Sequence, residues 1–161
     1  HENDPADAGY QQFLAQVLTP LLPHLSRGMQ GLDFGCGPGP ALKHLLEQRG
    51  MHMQVYDPYY ANDETVLEHQ YDFVTCTEVV EHFYDPAKDW RRLAGLVKPG
   101  GWLAVMTSLL LPTIEFSTWY YPTEPSHVMF YTPQTMFFLA EELELRLEFL
   151  DSPVILFSKT G

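Results

Sequence analysis

The chain has 161 residues, enough for one domain with a substantial core, and an apolar fraction of 45% with 14% aromatics describes a packed globule, not a disordered segment. Nine basic residues against 21 acidic ones leave a net charge of −12. That balance argues against a nucleic-acid partner and against an anionic membrane surface, since both depend on clustered Lys and Arg.

In chain order, His1 to Gly9 reads as a polar lead-in. Tyr10, Phe13, Leu14, Val17, Leu18 and Leu21 recur at helical spacing and predict an amphipathic helix ending near Pro20 or Pro23. Gly31 to Phe34 is a short strand that runs into a loop crowded with Gly35, Gly37 and Gly39. Leu42, Leu45 and Leu46 form the apolar face of the next helix, which stops at Gly50. Met51 to Tyr56 is a second strand, closed by Asp57-Pro58. Between Asp57 and Tyr71 the only candidate for a third strand is Thr65-Val66-Leu67, so that strand is expected to be shortened or absent. Tyr71 to Cys76 is a clearer strand, with helical sequence expected from Thr77 or Val79. Asp85-Pro86 opens another helix that turns Trp90, Leu93, Leu96 and Val97 inward; Arg91-Arg92, the only adjacent basic pair, is read as its solvated face. Lys98 to Gly101 predicts a tight turn before a buried strand at Trp102 to Met106. Thr132-Pro133 caps a helix to about Glu142, and Leu143 to Leu150 with Val154 to Phe157 form a terminal strand pair.

Strands alternating with helices predict one α/β domain over residues 1–161: a doubly wound, mostly parallel sheet with an antiparallel C-terminal pair. No stretch reaches the roughly 18 apolar residues of a membrane span, and no charged-then-apolar signal sequence opens the chain. The chain starts on His1 without an initiator Met, so residues are expected upstream. Cys36 and Cys76 make no disulfide framework and are expected as reduced, buried fillers in a cytoplasmic protein.

The glycine loop lets backbone approach a ligand closely and sets amide N–H groups at a helix N-terminus, which suits an anionic or zwitterionic cofactor at the carboxyl ends of the strands. A nicotinamide fingerprint fails here, because position 40 is Pro where Gly or Ala is needed. Asp33 lies inside the strand, two residues before the first glycine, and a carboxylate there needs donors such as a ligand's cationic amino group. Asp57 ends the second strand, where an acid can accept ribose hydroxyls; the alternative is a plain Asp-Pro turn.

These stretches together carry a resemblance. Leu32-Asp33-Phe34-Gly35-Cys36-Gly37-Pro38-Gly39 resembles motif I of class I, Rossmann-like S-adenosylmethionine (SAM) dependent methyltransferases, and Asp57 matches their ribose-binding acid. Tyr71 to His82 resembles the family's fourth-strand motif, and Leu96-Val97-Lys98-Pro99-Gly100-Gly101 its Leu-x-x-Gly-Gly turn. The resemblance implies SAM as cofactor, held by Asp33, Gly35, Cys36, Gly37, Pro38, Gly39, Asp57, Pro58, Thr77, Glu78 and Val79.

Glu78, Glu81 and His82 stand at i, i+3 and i+4, which on a helix is one face. Two carboxylates and an imidazole are competent ligands for a hard divalent cation. The Glu-x-x-Glu-His pattern also resembles that of ubiquinone-pathway O-methyltransferases and of small-RNA 2′-O-methyltransferases, which implies Mg²⁺ or Mn²⁺ on Glu78, Glu81, His82 and a downstream histidine, here His127. The alternative use of His82 or His127 is as a general base, since imidazole titrates near neutrality. His24, His44, His52 and His69 have no partners in recognisable spacing.

Between Ser108 and Thr132, six aromatics fall in the 16 residues from Phe116 to Tyr131. The stretch at 108–131 reads as a lid or acceptor-site insertion, with Trp119, Tyr120 and Tyr121 lining an acceptor pocket or else covering the sheet edge or forming a dimer contact. The leading reading is methyl transfer to a hydroxyl of a small molecule, releasing S-adenosylhomocysteine. An RNA-end 2′-O-methyltransferase is the second reading, and a non-catalytic SAM-binding module the third.

Overall fold

The computed structural model describes residues 8–113, 115, 117, 119, 123 and 125–161. Helix α1 (Ala8–Leu21) leads into strand β1 (Gln30–Phe34), followed by α2 (Ala41–Gln48), β2 (His52–Tyr56), β3 (Tyr71–Thr77), α3 (Pro86–Gly95), β4 (Val97–Met106), α4 (Pro133–Glu142), β5 (Leu145–Asp151) and β6 (Val154–Lys159). The strands form one sheet in the order β2-β1-β3-β4-β6-β5. The first four run parallel, while β6 pairs antiparallel with both β4 and β5. This is the doubly wound sheet with an antiparallel C-terminal pair that the alternation of patterns predicts.

Burial explains why the central strands read as continuous apolar runs. Alternate residues of β3 and β4 enter two separate cores, one on each face of the sheet. Phe73, Ala104 and Met106 pack with Leu14, Val17, Leu42 and Leu46 of α1 and α2. Val74, Cys76, Leu103 and Val105 pack with Trp90 and Leu93 of α3 and Met136 and Ala140 of α4. The outer strands β2 and β5 instead mix covered and exposed positions, as edges do.

The helix starts are chemically fixed. Asp85 Oδ1 accepts from Lys88 N at 3.3 Å ahead of Pro86. Thr132 and Thr135 close a reciprocal capping box over Pro133, with Thr135 N donating to Thr132 Oγ1 at 3.2 Å and Thr132 N donating to Thr135 Oγ1 at 3.4 Å.

Several expectations change. Ala8 and Gly9, read as lead-in, already belong to α1, which runs past Pro20 to Leu21 before a 3-10 turn at Leu22–His24. The third strand, expected to be shortened or absent, is absent among the described residues: Thr65-Val66-Leu67 lies in a 3-10 turn at Glu64–Glu68, opened by Asp63, whose side chain accepts from Thr65 N at 3.1 Å. Among the described residues nothing pairs outside β2, because a parallel crossover needs about a dozen residues before any new strand begins. The predicted turn at Lys98 to Gly101 is absorbed into β4, where the register with β3 slips between Tyr71 and Phe73 and Gly100 takes a φ of 83°.

Candidate active site

The glycine loop follows β1 at the carboxyl end of the sheet. Three successive loop amides turn inward: Gly35 N and Cys36 N donate to Tyr56 O at 2.7 and 3.2 Å, and Gly37 N donates to Asp57 Oδ2 at 3.0 Å. Pro38 and Pro40 have no N–H, and Ala41 N donates to Gly39 O at 2.7 Å. A phosphate cradle needs such amides aimed at the ligand. Of the two cofactor types expected, anionic or zwitterionic, the loop favours the zwitterionic one: Gly35, Cys36 and Gly37 turn their amides to Tyr56 and Asp57, so these are not aimed at a phosphate.

Gly35 is fixed by two requirements. Its φ is 84°, in the left-handed region, and a Cβ there would collide with Val79 Cγ2. The loop thus rests directly on the turn that carries the predicted acids and histidine.

Asp33 is 3% exposed and stands opposite Thr75 in the β1–β3 register. Thr75 Oγ1 donates to Asp33 Oδ1 at 3.0 Å. Burial pushes the Asp33 carboxyl up to about 7; the Thr75 hydrogen bond pulls it down and the Asp57 charge adds to the rise. Tyr10 of α1 responds in turn, its hydroxyl pushed up to about 12 by burial and then by Asp33. Asp57 is buried, Pro58 is exposed, and Thr77, Glu78 and Val79 are half-buried at the end of β3.

Burial pushes the Cys36 thiol up to about 11, with Asp33 and Asp57 adding to it, and raises the Cys76 thiol well above its ordinary value. Neither cysteine is in a disulfide, and both are buried and held as thiols, so neither is a nucleophile at neutral pH.

The helix expected from Thr77 or Val79 is not formed. Glu78 has a φ of 57° and donates its N–H to Met106 O at 2.7 Å, which ties it to the sheet; only a 3-10 turn at Val80–His82 follows. The shared helical face of Glu78, Glu81 and His82 is therefore lost, and Glu78 lies outside the cluster it was expected to join. Glu81, His82 and His127 do converge: each offers a ligand atom, and these atoms lie within 4.8 Å of one another.

The segment around His127 is fastened to this turn. Val128 N and Met129 N donate to Glu81 O at 2.9 and 3.0 Å. Tyr131 Oη donates to Val80 O at 2.8 Å and accepts from Trp90 Nε1 at 3.2 Å. His82 Nδ1 lies 2.7 Å from Ser126 O. A carbonyl only accepts, so Nδ1 carries the proton and Nε2 of the neutral ring keeps its lone pair. The two imidazoles meet edge to face with ring centroids 5.0 Å apart. Glu81 is fully buried beneath them.

In the aromatic insertion Trp119 is buried against Phe130, 6.0 Å between centroids, while Tyr120 and Tyr121 lie outside the described residues. His24, assigned no role, stacks on Trp102 at 3.8 Å. Thr75 and Tyr131 were missed as site residues because each sits in an apolar run. The signal for Thr75 was the pairing of a buried acid with the strand beside it. A cavity of about 710 Å³, lined in part by Gln30, His52, Glu68 and Lys98, lies at the opposite, amino ends of the strands. Ligands of open α/β sheets bind at the carboxyl ends, so this cavity is not the site.

Comparison with known proteins identifies the family. A family model described as "Methyltransferase domain" matches residues 7–148. Ubiquinone biosynthesis O-methyltransferase of Aeromonas salmonicida (strain A449) is 36% identical over 92 residues, covering 56% of this chain and 38% of that protein. The enzyme of the same name from Nitrosospira multiformis is 51% identical over 131 residues, covering 66% of this chain and 51% of that protein. The chain thus spans about half the length, or less, of these relatives. Among solved structures, a SAM-dependent methyltransferase from Archaeoglobus fulgidus superposes with a TM-score of 0.68 at 18% identity, covering 92% of this chain and 94% of that one. Phosphoethanolamine N-methyltransferase 2 of Haemonchus contortus, solved with SAM, gives a TM-score of 0.66 at 18% identity, covering 90% of this chain and 39% of that one. The chain belongs to the methyltransferase domain family, and its sheet is that of the class I, SAM-dependent enzymes.

Proposed function

We propose that the protein is a cytoplasmic enzyme that transfers the methyl group of SAM to a hydroxyl oxygen of a small molecule, releasing S-adenosylhomocysteine. The observation that carries this reading is the Glu81–His82–His127 cluster, with a lone pair left on His82 Nε2 by the Nδ1–Ser126 hydrogen bond, beside the turn against which the glycine loop rests. The names of the relatives, O-methyltransferases of ubiquinone biosynthesis, support oxygen as the acceptor atom. Net charge of −12 opposes the RNA alternative, and no helix among the described residues is long and apolar enough to cross a membrane.

The residues present fit SAM. Asp33 offers a buried carboxylate to the cofactor's ammonium, and Asp57 faces its ribose. Gly35, Cys36, Gly37, Pro38 and Gly39 let it lie close to backbone, with Pro58, Thr77, Glu78 and Val79 at the rim. SAM, when bound, supplies a methyl group on a sulfonium sulfur, so catalysis rests on positioning and on removing the acceptor's proton. His82 Nε2 is the base we assign, with His127 beside it. The same three side chains, one carboxylate and two imidazoles, suit a divalent cation such as Mg²⁺ or Mn²⁺, which lowers the pKa of a hydroxyl it touches.

His82→Ala and His127→Ala are expected to lower kcat by about 100-fold while SAM affinity stays within about threefold of wild type, since a base acts on the acceptor's proton and not on the cofactor. Kinetics with parallel calorimetry checks this; loss of SAM binding in step with turnover would contradict it. Assays in EDTA separate the two uses of the cluster. Loss restored by Mg²⁺ or Mn²⁺ assigns a metal, whereas full activity leaves the base alone.

A further inference from the structure

Asp57 has more partners than a ribose ligand needs. Its Oδ2 accepts from Gly37 N at 3.0 Å, and its Oδ1 accepts from Tyr59 N at 2.8 Å and Tyr60 N at 3.2 Å. Its backbone closes the same turn, with Asp57 N donating to Ala61 O at 3.1 Å and Ala61 N returning to Asp57 O at 2.9 Å. One buried carboxylate thus ties the glycine loop to the Tyr59–Tyr60 turn, and holds that turn where both rings stand in solvent, 88% and 63% exposed.

A carboxylate has about four lone-pair directions, two on each oxygen. Both directions of Oδ1 and one of Oδ2 are spent on amides. We infer that Asp57 is first a clamp between these two loops, and that it accepts only one of the two ribose hydroxyls, on the remaining direction of Oδ2. This rests on the reading that the cofactor's ribose lies at Asp57, and it changes the residue's job from a two-pronged ligand to a positioning residue with one free prong.

The test uses calorimetry of S-adenosylhomocysteine and its 2′-deoxy and 3′-deoxy analogues on wild type and on Asp57→Asn. A hydrogen bond to a charged acceptor is worth about 10- to 100-fold in affinity. Removing one hydroxyl is expected to weaken wild-type binding by at least about tenfold and to lose most of that effect in Asp57→Asn. Removing the other is expected to have the same effect, whatever its size, in both proteins. Coupling of Asp57 to both hydroxyls overturns the inference while leaving the site reading intact. Coupling to neither, with S-adenosylhomocysteine still bound, overturns both. If Asp57→Asn does not fold, amide exchange by NMR on the wild type decides. The Gly37, Tyr59 and Tyr60 amides are expected to stay slow in the S-adenosylhomocysteine complex, and fast exchange at Tyr59 or Tyr60 would show the clamp released to the ribose.

Discussion

Cofactor-free Asp33→Asn is expected to melt higher than the wild type at pH 8 and to bind SAM about 100-fold more weakly. The stability effect follows from linkage. An unfolded Asp titrates near 3.9, whereas burial holds folded Asp33 at about 7. Between those values the folded chain keeps a proton that the unfolded chain has lost. Stability from this group is therefore complete below about pH 4, falls as pH rises, and is gone above about pH 7. A gap of about three pH units corresponds to at most about 4 kcal/mol, and roughly half of that is a reasonable expectation, which is about 5 °C in Tm. Asn still accepts from Thr75 but carries no charge to desolvate, so its melting curve should lose this slope. The ammonium of SAM favours the ionised carboxylate, so wild-type SAM affinity should rise as pH climbs to about 7 and flatten beyond. Melting and calorimetry from pH 5 to 8.5 check both effects; a Tm that falls in Asp33→Asn at pH 8 would show that the carboxylate is satisfied and not stored at a cost.

Gly35→Ala is expected to abolish measurable SAM binding, a loss of at least about 100-fold, and to lower Tm. The new Cβ meets two obstacles, a left-handed φ of 84° that costs about 1–2 kcal/mol and the side chain of Val79. The second obstacle matters more for function, because Val79 begins the turn that carries Glu81 and His82. Adding Val79→Ala vacates the contested space and leaves only the backbone cost, so the double variant should recover part of the lost affinity. If it binds no better than Gly35→Ala alone, the contact between loop and turn is not the cause. Asp33 and Gly35 together carry the proposed reading of the loop: a buried carboxyl set to meet a cation, beside backbone with no room for a side chain.

Much of this was legible in the sequence. Repeating apolar spacing placed α1, α2 and α3, the Thr132-Pro133 cap placed α4, and the run at Tyr71 to Cys76 placed the central strand, where Phe73, Val74 and Cys76 are fully buried. Asp33 was conspicuous as an acid within such a run. The failures have physical causes. Helical spacing of Glu78, Glu81 and His82 says nothing of the Glu78 amide, and one hydrogen bond to Met106 O with a left-handed φ breaks the helix before it starts. Glu81 and His82 reached His127 all the same, through backbone bonds from Val128 and Met129 that no residue pattern encodes. The glycine loop shows the same limit: three glycines promise exposed amides, but where N–H groups point depends on the neighbouring strand, and here Tyr56 O and Asp57 take those of Gly35, Cys36 and Gly37.

The most direct test of the central claim is release of S-adenosylhomocysteine from SAM by the purified chain, measured across a panel of small phenols, catechols, amines and carboxylic acids. The account predicts turnover with a hydroxylated acceptor, lost in His82→Ala while SAM still binds. Turnover confined to amines, or SAM binding with no product on any acceptor, would contradict it.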